Sequence, residues 1–280
     1  MEDLNLSGYA QQDLPGLRQW VNRLLDVSGR VVENAPYSEH DHFGFMALCF
    51  LSKQVGHTRS ILSLGEARDV ELLARSMLEG LCQLLWAAND PHTRALRWRA
   101  FAWIHDWRTM QAQSAAGEPV DEARRGAIKE AVRQYGDQFL TRKARAARQR
   151  GDPEPDDPYC SNWTGHTVRQ IFEWVRGEVL YLRLYRPFSG WHHWSPGGLG
   201  TAMVQEQDGV AYSSMSVVDA ATALATAFQC LIRTVEVTDE HLERGFASTI
   251  AELRQGYVDW HQGERGQEIA NGGEQPAGVP

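Results

Sequence analysis

Long apolar runs are missing from this 280-residue chain. Its uninterrupted hydrophobic stretches are a few residues each, against the roughly 18 that a membrane-spanning helix needs, so no membrane span is expected. Cysteine is scarce: Cys49, Cys82, Cys160 and Cys230 lie far apart with no C-x-x-C pair. That spacing excludes a zinc cluster, a thioredoxin-like motif and a disulfide-dense scaffold. A basic leader is missing as well, because Glu2 and Asp3 stand where its cations would be and no apolar stretch follows. A cytoplasmic location is therefore expected. No P-loop, G-x-G-x-x-G, G-x-S-x-G or H-E-x-x-H occurs, which removes the commonest nucleotide-binding and hydrolase readings. No cofactor and no metal site are expected.

What remains is an acidic chain, with 36 Asp+Glu against 28 Lys+Arg and ten tryptophans. Apolar residues recur at helical spacing. Leu14, Leu17, Val21, Leu24, Leu25 and Val31 mark a helix over 13–34, which stops before Pro36. Further helices are expected at about 40–62 and from Gly65 to Ala88. Asn89 or Asp90 followed by Pro91 signals the start of the next one, which ends at Gly117-Glu118-Pro119. Asp121 caps another to about Arg150, and the Pro-rich stretch 151–158 reads as a loop. A helix over 164–185 precedes an irregular, Gly- and Pro-rich segment, 186–200. Residues 201–213 read equally as a short hairpin or a plain loop. Helices at 216–237 and 239–261 follow, and the polar tail 262–280 is expected to be disordered. The expected architecture is all-α: one bundle of seven or eight helices forming a single domain over 1–261.

The third helix carries Arg75 and Glu79 opposite its main apolar stripe, alongside Leu72, Cys82 and Trp86. A helix that is apolar on both sides sits centrally, so these charges are expected to be partly buried and to need partners. Spacing i,i+4 allows Arg75 to pair with Glu79 or Glu71. Two readings stand: a structural ion pair, or a site lined by these charges.

Arg75-Ser76-Met77-Leu78-Glu79, then Asn89-Asp90-Pro91 and the Trp-rich fourth helix, form one block. Trp163-Thr-Gly165, Tyr181, Tyr185, Ser189 and His192-His193 form a second. Together, over about 40–200, they resemble the bacterial family catalogued as domain of unknown function 5677. That family is similar to HEPN-type helical proteins, which occur as RNA-cleaving toxins and in phage defence. The resemblance implies a helical fold. It also implies RNA as a candidate substrate, and an R-x(4–6)-H motif of the sort usually set at a homodimer interface.

Chance pairing of 25 arginines with ten histidines yields roughly three such motifs, and the chain has four: Arg99–His105, Arg186–His192, Arg186–His193 and Arg254–His261. Context must choose among them. Arg99 and His105 lie six apart on one helix, about 240° apart in direction, which disfavours a joint site. Arg254–His261 reads as a surface pair. Arg186 is expected where a helix meets an irregular loop, and such loops carry function more often than helix faces. Around it a histidine, His192 or His193, would move the ribose 2′-OH proton, and Arg186 would stabilise the phosphorane-like charge. Ser189 adds a hydroxyl, and Tyr185, Trp191 and Trp194 supply stacking surfaces for a base. The bland reading of the same residues is an ordered aromatic loop packed over the bundle.

Other constellations weigh less. Glu39-His40-Asp41-His42 contains one E-x-x-H where a di-iron bundle needs two, so it reads as a helix start. Residues 121–150 hold nine cations against four acids. They offer either a nucleic-acid-binding stripe or, favoured because the acids of 152–157 follow, a solvated helix paired with that loop. The functional expectation is a metal-independent RNA-cleaving toxin or phage-defence component. The alternative is a non-catalytic helical interaction or sensing module that binds a protein partner or a small ligand; the partners expected across the two readings are RNA and a second copy or a cognate protein.

Overall fold

The computed structural model describes residues 13–35, 38–193, 195–206 and 209–271, the side chains of 205–206 and 264–271 excepted. The fold is all-α. Its helices are α1 (Asp13–Val32), α2 (His42–Leu64), α3 (Val70–Ala88), α4 (Pro91–Ala115), α5 (Glu122–Tyr135) and α6 (Arg142–Arg150). They continue with α7 (Val168–Trp174), α8 (Glu178–Leu180), α9 (Arg186–His192), α10 (Pro196–Gly200), α11 (Val217–Leu242) and α12 (Ala247–Asn271). One antiparallel hairpin, β1 (Met203–Glu206) with β2 (Gly209–Tyr212), pairs Met203 with Tyr212, resolving the choice at 201–213.

There are more helices than the expected seven or eight, because several expected elements are divided. The stretch 121–150 breaks at Gly136–Phe139, a single 3₁₀ turn, before Thr141 caps α6 by accepting from Ala144 N. The expected helix 164–185 breaks after α7, where Arg176 adopts a left-handed conformation (φ 55°) and Gly177 N donates to Phe172 O. That is the usual way a helix satisfies its last carbonyls. The segment 186–200, expected to be irregular, is mostly helical: α9 and then α10, which Ser195 caps with Pro196 in the first turn. The other caps fall where expected, with Asp90 accepting from Thr93 N and Asp121 from Arg124 N. Helix α12 runs on to Asn271, past the expected end at 261, and 272–280 lie outside the described residues.

Contacts group the chain into two compact units: residues 1–36, 47–81 and 179–280, and residues 37–46 and 82–178. In the first, α1 packs along α11 and α12. Leu17, Val21, Leu24, Leu224, Phe228, Leu231 and Val235 are buried there. Gln54 of α2 donates to Met77 O of α3, joining those helices within the unit. In the second, α4 packs on α5. Phe101, Ile104, Phe139 and Phe172 are buried, and Phe101 meets Phe139 edge to face at 5.1 Å. Among the described residues, no helix is long and apolar enough to cross a membrane.

Several cations of the basic stretch 121–150 are paired. Arg148 bonds Glu154 at 2.7 Å and also meets Asp137; Arg150 bonds Asp152 at 2.7 Å, and Arg133 bonds Glu130. Its C-terminal cations engage the acidic loop, as the favoured reading expects.

Candidate functional site

In the first unit, Leu180 runs into a π-helical turn, Tyr181–Tyr185, in which Arg186 N donates to Tyr181 O. Pro187 follows. It has no N–H to give the carbonyl four residues back, so an ordinary α turn cannot close there and the wider turn accommodates it. This turn aims Tyr185 at α3. Arg75 Nη2 donates to the Tyr185 hydroxyl at 2.8 Å, and that hydroxyl donates to Glu79 Oε2 at 3.2 Å. Arg75 Nε donates to Ser189 Oγ at 2.8 Å, while Ser189 donates to the Tyr185 carbonyl. The guanidinium also lies 4.8 Å from the Tyr185 ring centre, and Tyr181 stacks on the same ring at 5.5 Å. Burial, then the Glu79 carboxylate, pushes the Tyr185 phenol up to about 12, so it stays a neutral relay between cation and acid.

Arg75 and Glu79, expected to pair along α3, thus meet on Tyr185. Three of these hydrogen bonds tie α3 to the 181–192 segment. Ser189 and Tyr185, offered above as nucleic-acid contacts, are engaged in them.

Arg186, His192 and His193 are all exposed, and α9 carries the first two six residues apart, roughly 240° in direction. His193 sits at the C-terminal cap, seven positions beyond Arg186 and about two turns, or roughly 10 Å, further along the axis. The two imidazoles touch each other, ring centres 4.7 Å apart. Trp191 donates its indole N–H to Asp69 at 3.1 Å and lies parallel to Tyr212 of the hairpin. Trp194 lies outside the described residues.

Beside this cluster, Arg68 is buried and uses its whole fork. Nε donates to Ser213 O (3.0 Å), Nη2 to Thr201 O (2.8 Å), and Nη1 to Thr201 Oγ1 (3.3 Å) and Asp219 (2.6 Å). Backbone bonds Arg68 N to Ser214 O and Ser216 N to Glu66 O close the same seam. Glu71 hydrogen-bonds Asp219; burial, then that carboxylate, raises it to about 8, with Arg68 opposing. Folded protein therefore holds a proton that the unfolded chain releases near 4.5. The stability from this group is complete below that value and lost as pH rises through about 8. Glu71→Gln is expected to match the parent near pH 5 and to exceed it above pH 9. The gain is on the order of 1 kcal/mol, given partial solvent screening. Urea unfolding at the two pH values checks this; an equal difference at both would refute it.

The second unit holds a cleft of about 510 Å³, within the size range of small-molecule sites. Trp98, Phe101, Ala102 and His105 line it at i, i+3, i+4 and i+7 of α4, with Phe45, Ser161 and Trp163 opposite and Arg99 at its side. The Phe45 and Trp98 rings lie 5.9 Å apart, and the Arg99 guanidinium covers Phe45 at 4.8 Å. Arg99 Nη1 donates to Glu39 O (3.2 Å) and to His42 Nδ1 (3.0 Å). Burial, then Arg99, lowers the His42 pKa, which keeps that nitrogen an acceptor. Trp163 is buried, with its N–H on Gln83 at 2.8 Å. Helical phase alone separates Arg99 from His105, yet both line this space. Sequence reasoning passed over this cleft; its trace was the stripe Trp98-Phe101-Ala102-His105.

Among the described residues, no group of three or more His, Cys, Asp or Glu is placed to hold a metal ion. A family model, described as Family of unknown function (DUF5677), matches residues 44–211. No curated protein and no solved structure matches.

Proposed function

We propose that this chain, which belongs to the DUF5677 family of unknown function, is a non-catalytic helical binding module that takes its ligand in the cleft of the second unit. One observation carries the reading: Ser189, the hydroxyl of the Arg186 segment, is hydrogen-bonded to Arg75, and Arg186 and His192 start six residues apart on α9, about 240° in phase. General acid–base chemistry needs its groups within hydrogen-bond reach of one reacting centre. The cleft, by contrast, gathers aromatic and polar side chains around one concave space, as ligand sites do.

A second reading keeps RNA cleavage and moves it. Arg99 and His105 have R-x(4–6)-H spacing, and both line the cleft. There His105 would exchange the proton and Arg99 would stabilise the phosphate charge.

Incubating the whole chain with single-stranded RNA in EDTA separates these readings. No cleavage above a protein-free control is the expected result, for the parent and for His192→Ala/His193→Ala alike. Cleavage abolished by His105→Ala would favour the second reading. Cleavage abolished by the double histidine variant would overturn both and restore the Arg186 site.

A further inference from the structure

The lining of the cleft specifies a ligand class. Its charged or titratable side chains are Arg99 and His105, with no aspartate or glutamate among the lining residues. A concave surface with a cation and no acid favours an anion. Arg99 is also pre-oriented. Nη1 is anchored on Glu39 O and His42, while Nε and Nη2 have no hydrogen-bond acceptor among the described residues. Those two N–H groups form one edge of the planar fork, the edge that receives a carboxylate or phosphate in two parallel bonds. The remaining wall is aromatic. Trp98 is half-buried beside Phe45, Trp163 is buried, and Phe101 carries His105 edge to face at 4.8 Å. A bare inorganic anion would leave that wall uncovered, and a neutral arene would leave the arginine edge without an acceptor.

We infer that the cleft binds a small aromatic anion: a planar ring set against Trp98, with a carboxylate or phosphate on the free edge of Arg99. The inference rests on the binding-module reading and names its ligand class. Exposed His105 and the exposed Ser161 hydroxyl stand at the rim, where a second oxygen of the anionic group would meet them.

Calorimetric titration of the full chain tests this with 2-naphthoate, 1-naphthyl phosphate, the neutral 2-naphthalenemethanol and inorganic phosphate. Both aromatic anions are expected to bind at least about tenfold more tightly than the neutral arene, as a charge-assisted bidentate pair requires. The tighter of the two identifies the headgroup. Inorganic phosphate is expected to bind more weakly than either. Arg99→Gln is expected to abolish the preference for the anion while leaving the arene bound, and Trp98→Leu to weaken all three aromatic probes together. Circular dichroism shows whether each variant is folded, and either folded variant suffices. Equal binding of anion and alcohol, binding of inorganic phosphate alone, or no heat from any probe at millimolar concentration would overturn the inference. These readouts do not depend on turnover. RNA cleavage would defeat the module reading without touching them, and a silent titration with no cleavage would defeat the ligand class alone.

Discussion

Replacing Arg68 by alanine is expected to destabilise the chain by about 3–5 kcal/mol, the range for removing one partner of a buried charge pair. The loss falls on several groups at once. Asp219 loses its cation at 2.6 Å, the carbonyls of Thr201 and Ser213 lose their donors, and the Glu71–Asp219 carboxyl pair loses the charge that moderates it. Arg68→Lys keeps the charge but is expected to recover only a minor part, since one ammonium cannot reach four acceptors spread around a planar fork. Arg68→Met, which fills the space without the charge, is expected to fall near alanine because Asp219 remains without its partner. Urea unfolding measures all three. A lysine variant as stable as the parent would show that charge alone holds this seam.

Phe139→Ala is expected to cost a similar amount, about 3–5 kcal/mol, as emptying a buried phenylalanine site does. Phe139 is fully buried in the 3₁₀ turn between α5 and α6, against Phe101 and beneath the Arg97 guanidinium, which stands 4.9 Å from its ring centre. Its carbonyl accepts from Cys160 N at 2.8 Å, so a collapse there also disturbs the strand-like contact of Leu140 with Tyr159. Phe139→Leu, which keeps most of the volume, is expected to lose about half as much. Arg68 and Phe139 belong to different compact units. The single-domain proposal for 1–261 therefore expects both variants to lower one shared unfolding transition. Two transitions, each sensitive to one variant, would contradict it.

Much of the helical architecture was legible because its signals are local. Asp90-Pro91, Asp121 and the Leu/Val stripe of α1 each declare themselves within a few residues. The missed elements show where local reading stops. Ser195-Pro196 is a cap followed by a first-turn proline, but the glycines at 197, 198 and 200 outweighed it. Gly198 turns out to be required by tertiary contact: a Cβ there would strike the backbone of Gly190 and Trp191. The break at Arg176 was hidden because a left-handed arginine leaves no mark in hydrophobic periodicity.

The candidate site was legible only in parts. Arg75 and Glu79 read as charges needing partners, but the partners, Tyr185 and Ser189, stand more than a hundred residues away in sequence. No spacing rule connects them. Arg68 looked like any of the 25 arginines, since nothing local distinguishes a buried fork from a solvated one. The Arg186 site was favoured on the expectation of an irregular loop, and that expectation failed when 186–192 proved helical. The argument from helical phase that disfavoured Arg99–His105 then applies to Arg186–His192 instead. Phase describes Cβ directions, whereas a long arginine stem can carry its head some distance across a helix face.

The central claim is that ligand contact belongs to the α4 cleft and not to α9. It is tested most directly by following the indole N–H resonances of the ¹⁵N-tryptophan-labelled chain as 1-naphthyl phosphate is added, each resonance assigned with a Trp→Phe variant. The account predicts that Trp98 and Trp163 shift and saturate together while Trp191 stays in place. A saturable shift of Trp191 with Trp98 unmoved would contradict it.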